Sequence, residues 1–189
     1  KFYKLIALKN VPLPGRHNLS NILAAATAAK ILGIPNSKIS KTISSFKGVE
    51  HRIEKVININ GVTYYNDSKA TNVEAVKVAI NSFEKNIFLI LGGQDKGGEF
   101  SILLPHIKNK VKSVVAYGDA ANIIKTALGD AVKLKIVFSL KEAVKTCHNH
   151  AQPGDIILLS PGCASFDQFK NFEERGKFFK TVVNEMATA

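Results

Sequence analysis

From Ile87 onward the chain alternates short apolar-rich runs, the first of them continuous, with stretches whose apolar residues recur every three or four positions. The runs are residues 87–91, 111–117, 134–138 and 155–159. Between them, Ala120, Ile123, Ile124, Ala127 and Leu128 form one helical stripe, and Leu140, Ala143, Val144 and Cys147 another. A strand that is apolar at every position must be covered on both faces, and amphipathic helices provide the cover. This alternation predicts an α/β fold, a Rossmann-like, doubly wound and mostly parallel sheet. A helical region through Ile107 and a closing helix over 169–186 complete the pattern.

Upstream of the runs, residues 53–59 alternate apolar and polar. Asn60-Gly61 follows, the strongest two-residue hairpin signal, and residues 62–65 return as the partner strand. Val73, Val76, Ile80 and Phe83 then mark one helical face. Residues 1–48 read differently. A short strand-like start is broken by Pro12, Pro14 and Gly15. A helix is expected over 18–32, stopped by Gly33-Ile34-Pro35, and a second over 37–46. Two helices with no sheet of their own do not make a domain. Residues 1–48 are therefore expected to end a domain whose body lies elsewhere, and residues 49–189 to form the α/β domain. The chain opens on Lys1 rather than Met, which suggests a piece of a longer protein.

Hydrophobic residues make up 46%, enough to bury a core. No apolar run approaches the ~20 residues of a membrane helix. Lys1-Phe2-Tyr3-Lys4 does not read as a signal peptide. The two cysteines, Cys147 and Cys163, suit a reducing cytosol better than a disulfide scaffold. The net charge of +11 invites a nucleic-acid reading. Arg16, Arg52 and Arg175 are, however, the only arginines, and the lysines are scattered apart from residues 108–112. Neither nucleic acid nor membrane is expected as a partner. The charge suits attraction to small anions.

In doubly wound folds ligands bind at the carboxyl ends of the strands. Three polar loops fall there: residues 66–72, 91–98 and 160–167. Each alone reads equally as a turn or a helix cap. Three at one sheet edge are harder to explain that way. The glycine loop is neither a Walker loop nor a dinucleotide fingerprint, although glycines beside Lys96 let an anion approach closely. Ser165 lacks the surroundings of a hydrolase nucleophile, and it either caps a helix or meets a ligand. Cys163 reads as a passive small residue. Cys147, His148 and His150 splay around a helix, so no metal site is expected there. His17, Asn18 and Asn21 open a helix, where they suit a nucleotide's polar groups or merely cap it. Arg52, beside His51, either forks onto a phosphate or is an ordinary surface residue.

Five segments in order resemble the Mur ligases, in particular their D-glutamate-adding branch. They are Gly15-Arg16-His17-Asn18 with Asn21; His51-Arg52 with Glu54; residues 66–72; Leu91-Gly92-Gly93 with Asp95-Lys96-Gly97; and Leu159-Ser160-Pro161 through Phe169, Asn171-Phe172 and Arg175-Gly176. Other branches carry a Tyr- or His-containing motif after the hairpin. The resemblance implies three domains: a UDP-sugar domain, a central ATPase and a C-terminal Rossmann-like domain. This chain is similar to the end of the second and all of the third, without the P-loop or the family's carbamylated lysine. It implies an ATP-dependent ligase of peptidoglycan precursor synthesis in the bacterial cytoplasm. ATP would phosphorylate the carboxylate of UDP-N-acetylmuramoyl-L-alanine, and the amine of D-glutamate would attack the acyl phosphate. Lys96, Thr71, Ser165 and the backbone of Phe172 would hold D-glutamate. Arg52, Asp67 and Lys69 would meet the nucleotide's phosphates, and Asn18 and Asn21 its adenine side. Mg2+ would be held mainly by the rest of the central domain. Phe166 stands where relatives often carry Leu. A monomer, inactive as an isolated chain, is expected.

Overall fold

A computed structural model describes residues 4–188, with the side chains of Arg16 and His17 excepted. Readings that rest on those two side chains, or on Lys1, Phe2 and Tyr3, lie outside the described residues. The chain divides into two compact units, Lys1–Val49 and Glu50–Ala189.

In the first unit a 3-10 turn, Leu8–Asn10, precedes α1 (Arg16–Ile31) and α2 (Asn36–Ser45). Residues 4–7, the described part of the expected strand-like start, form no strand. An extended segment needs a ladder partner, and no strand is described in this unit. The side-chain amide of Asn18 donates to the Pro14 carbonyl at 2.7 Å, bracing the entry to α1.

The second unit opens with a hairpin, β1 (Glu54–Ile59) and β2 (Val62–Asn66). Asn60 and Gly61 take φ values of 50° and 85°, the left-handed pair that matches a tight turn to the strand twist. Four further strands follow: β3 (Ile87–Gly92), β4 (Val111–Tyr117), β5 (Leu134–Val137) and β6 (Ile156–Gly162). Their order in the sheet is β1-β2-β6-β3-β4-β5, and only the hairpin pair is antiparallel.

Neighbouring residues on a strand point to opposite faces, so the sheet carries two cores. Ile87, Leu89, Leu91, Val114, Ala116 and Leu158 pack beneath α3 (Val73–Asn81), α4 (Leu104–Ile107) and α5 (Ala121–Leu128). Phe88, Ile90, Val115, Tyr117, Ile157 and Leu159 pack beneath α6 (Leu140–His150) and α7 (Phe172–Ala187). Every residue of β3 is buried. Each such Leu or Ile contributes about 1.5–3 kcal/mol.

Two helices depart from expectation, and β6 runs three residues past the expected 159. The region before Ile107 is not one helix but a 3-10 turn, Phe100–Leu103, followed by the single turn of α4. Gly97 and Gly98 hold the preceding segment open as a loop, with the Asp95 carboxylate accepting the Gly98 N–H at 3.0 Å. Helix α7 starts at Phe172 rather than Phe169. Asn171 sets that start by accepting the Glu174 N–H at 2.7 Å.

Candidate functional site

The sheet order decides the site. β6 lies between β2 and β3, so the carboxyl ends of those three strands are neighbours. Asn66 is in register with Leu159, and Gly92 with Gly162. The three loops that continue these strands are bonded to one another. Asp67 N–H donates to the Leu159 carbonyl at 2.7 Å and Gly162 N–H to the Ala70 carbonyl at 2.9 Å. Gln94 and Ala164 exchange N–H···O bonds of 3.0 and 3.1 Å. Gly93, at φ 124°, makes that approach possible. A Cβ there would stand 2.2 Å from the Ala164 carbonyl oxygen.

Loop 66–72 turns half of its polar groups inward. Asn66 is fully buried. Its amide donates to His51 Nδ1 at 2.9 Å and to a Glu54 carboxylate oxygen at 3.1 Å, and its Oδ1 accepts the Ser68 N–H at 3.1 Å. Asp67 is only 4% exposed. One of its oxygens accepts the Ile53 N–H at 3.1 Å and the other the Ser160 hydroxyl at 2.8 Å. Burial pushes its pKa up to about 7, against the opposing pull of those two donors and of the Arg52 charge. Asp67 thus braces the residue before β1 to β6, with both oxygens engaged inside the protein. Asn72 caps α3 by accepting the Ala75 N–H at 2.9 Å.

The outward groups are Lys69, Arg52 and Lys96, all exposed, with Thr71 half-buried. Lys69 Nζ lies 5.0 Å from the centre of the Phe172 ring, and Lys96 Nζ 5.9 Å from that of Phe166. Each contact restrains an ammonium by about 0.5–1 kcal/mol while leaving its charge available. Ser165 is 2% exposed, and its carbonyl accepts the N–H groups of Gln168 and Phe169. It sits in a turn, and the cap of α7 is Asn171 instead. The Phe172 carbonyl accepts the Ser68 hydroxyl at 2.8 Å. Thr71, Lys96, Ser165 and Phe172 therefore lie on segments that are directly or indirectly bonded together. Asn18 and Asn21 belong to the other unit, where Asn18 braces Pro14 and Asn21 is exposed.

Two residues of this edge went unassigned at the sequence level. Ser68 reads there as turn or cap, and Arg175 as a motif residue without a role. The Arg175 guanidinium is completely buried and donates to Ser68 and to the carbonyls of Cys163 and Ala164. The available signals are its place in the Arg175-Gly176 segment and its membership of a three-arginine set.

Residues 51–163 match the sequence profile described as Mur ligase, glutamate ligase domain. The chain belongs to the Mur ligase family. It is 44% identical over 185 residues to UDP-N-acetylmuramoylalanine–D-glutamate ligase of Bacillus cytotoxicus, a match covering 97% of this chain and 41% of that one. To the protein of the same name from Acidobacterium capsulatum it is 46% identical over 179 residues, covering 95% and 39%. This Mur ligase chain thus spans about two fifths of the length of its curated relatives. Its fold is shared with UDP-N-acetylmuramate-alanine ligase MurC of Thermotoga maritima, at TM-score 0.68 and 16% identity over 94% of this chain and 39% of that one. MurF of Acinetobacter baumannii aligns at TM-score 0.63 and 19% identity over 95% and 39%.

Within this Mur ligase chain the described residues hold no cluster of three or more His, Cys, Asp or Glu that could bind a metal ion. Cys163 is buried, and burial pushes its thiol up to about 12. Burial raises the Cys147 thiol as well. Neither sulfur is a thiolate near neutral pH. No described helix is long and apolar enough to cross a membrane. The chemistry on offer at this edge is charge neutralisation and alignment by ammonium groups, hydroxyls and backbone.

Proposed function

We propose that this chain is the acceptor-binding part of an ATP-dependent ligase that joins D-glutamate to UDP-N-acetylmuramoyl-L-alanine. The reaction would serve peptidoglycan precursor synthesis in a bacterial cytoplasm. Residues 1–48 would be the end of a central ATPase domain whose remainder supplies the P-loop and the Mg2+ ligands. The carrying observation is the 44–46% identity to D-glutamate ligases across at least 95% of the chain, through all three bonded loops.

D-Glutamate carries two carboxylates and an amine. Lys96 would pair with one carboxylate, supported by the hydroxyls of Thr71 and Ser165 and the backbone of Phe172. With D-glutamate held in this way, its amine is free to attack. The acid partner is activated as an acyl phosphate using ATP. The amine nitrogen forms the new C–N bond, the C–O bond to phosphate breaks, inorganic phosphate leaves and the nitrogen gives up a proton. Arg52 and Lys69 would neutralise phosphate charge, and Asn18 and Asn21 would face the adenine. Asp67, expected beside the phosphates, has both oxygens bonded to Ile53 and Ser160 and would act there by holding the loop rather than by touching the nucleotide. Alignment and fixed charge are the main contributions a protein makes to such a step. The working enzyme would be a monomer, and this chain alone would be inactive.

The test is an acceptor panel with the full-length protein, ATP and UDP-N-acetylmuramoyl-L-alanine, following phosphate release. D-Glutamate should be the preferred acceptor. Preference for another amino acid would assign the chain to a different ligase of the family. Lys96→Ala should raise the D-glutamate KM by about tenfold or more, and an unchanged KM would remove Lys96 from the acceptor site.

A further inference from the structure

We infer that Arg175 is the positioning residue of the acceptor site. It sits on the first turn of α7 yet has no exposed surface. Its Nε donates to Ser68 Oγ at 2.9 Å and its Nη2 to the Ser68 carbonyl at 2.8 Å. Both terminal nitrogens reach the Cys163 carbonyl at 3.1 Å, and Nη1 reaches the Ala164 carbonyl at 3.2 Å. All of its acceptors are neutral. Among the described residues Arg175 makes no ion pair.

The acceptors are spaced so that one guanidinium fixes the whole edge. Ser68 lies three residues before Thr71, and Ala164 directly precedes Ser165. The Ser68 hydroxyl, which accepts from Arg175, donates in turn to the Phe172 carbonyl at 2.8 Å. A Cβ on Gly93, at the root of the Lys96 loop, would lie 3.1 Å from Arg175 Nη1. The clamp therefore joins loop 66–72, loop 160–167 and the start of α7, with the glycine loop packed against it.

Burying a guanidinium is costly, and a position facing the core needs no charge for packing, since an apolar side chain of similar volume serves there. The fork of five donors does what an apolar side chain cannot, holding carbonyls of two separate loops at set angles. The contribution of the fork is therefore the geometry of the two loops that carry Thr71 and Ser165. This role rests on the D-glutamate reading above.

The experiment uses the full-length ligase and two variants, Arg175→Lys, which keeps the charge and loses the fork, and Ser68→Ala, which removes one acceptor. In Arg175→Lys the D-glutamate KM should rise about tenfold or more, with the KM values for ATP and the UDP-linked substrate changed by less than about twofold. Ser68→Ala should raise the same acceptor KM by about threefold or more. A folded Arg175→Lys enzyme with an unchanged acceptor KM overturns the inference. So does a parallel rise of all three KM values with a lowered Tm, the signature of a merely structural residue. If Arg175→Lys does not fold, Ser68→Ala decides, and an unchanged acceptor KM there is equally fatal. A wild-type enzyme that ignores D-glutamate would instead overturn the substrate reading, and the same KM comparison would then be made with the acceptor it uses.

Discussion

His51 and Gly176 are in direct contact: a Cβ built on Gly176 would stand 2.2 Å from His51 Nδ1. The same nitrogen faces the Asn66 amide at 2.9 Å, so the ring cannot simply swing away. Helix α7 approaches the hairpin this closely because Gly176 has no side chain. Gly176→Ala should cost about 1–3 kcal/mol, the usual penalty for overpacking a fixed core. Urea denaturation measures it, and an unchanged midpoint would show that α7 shifts freely against His51.

His51 also makes stability depend on pH. Burial is the largest influence and lowers its pKa, assisted by Lys180, with Glu50, Glu54 and Glu173 pulling the other way. The folded state therefore takes the neutral ring, while the unfolded chain protonates near about 6.5. The stability from this site is present above about pH 6.5 and is lost as pH falls toward the lowered folded value. His51→Gln should flatten that part of the urea midpoint–pH curve, whatever its absolute stability.

Asp67 titrates in the opposite sense. Its folded pKa of about 7 lies above the model-peptide value of 3.8, because burial penalises the carboxylate. The folded state holds a proton that the unfolded chain has released, so this contribution is full below pH 3.8 and is lost as pH rises through about 7. Over that window the loss should be on the order of a few kcal/mol. Asp67→Asn should remove it, so the wild-type minus variant stability should slope downward from acid to neutral pH. A flat difference would mean that Asp67 titrates as in the unfolded chain.

Asn171 closes the amino end of α7 next to Phe172. Asn171→Ala removes the acceptor for the Glu174 N–H and should cost about 1 kcal/mol in a thermal or urea melt. A loss below a few tenths of that would mean that water caps the helix equally well.

Much of the fold is legible residue by residue. The all-buried β3, the Asn60-Gly61 turn and the Cys147 stripe all emerge from local rules of period and turn chemistry. The failures are equally specific. Phe100, Ile102 and Leu103 suggest a helix running to Ile107, but Gly97, Gly98 and the Asp95 contact keep residues 94–99 irregular and only a 3-10 turn forms before α4. The start of α7 is the other: the apolar pattern runs back to Phe169, whereas Asn171 offers the better-placed acceptor, and of the two readings open for Ser165 the helix cap falls away.

The sequence by itself determined the α/β layering, the hairpin, the three polar loops and the five family motifs, because each depends on residues close together along the chain. Only the tertiary structure decided that β6 enters between β2 and β3, that Asp67 faces inward, and that Arg175 is buried. Strand order is a choice among distant pairings, and local pattern does not encode it. Arg175 sits among Glu173, Glu174 and Lys177, which read as a solvated helix face. Its burial follows from the carbonyls of Ser68, Cys163 and Ala164 arriving there, and those arrive only when the sheet has assembled.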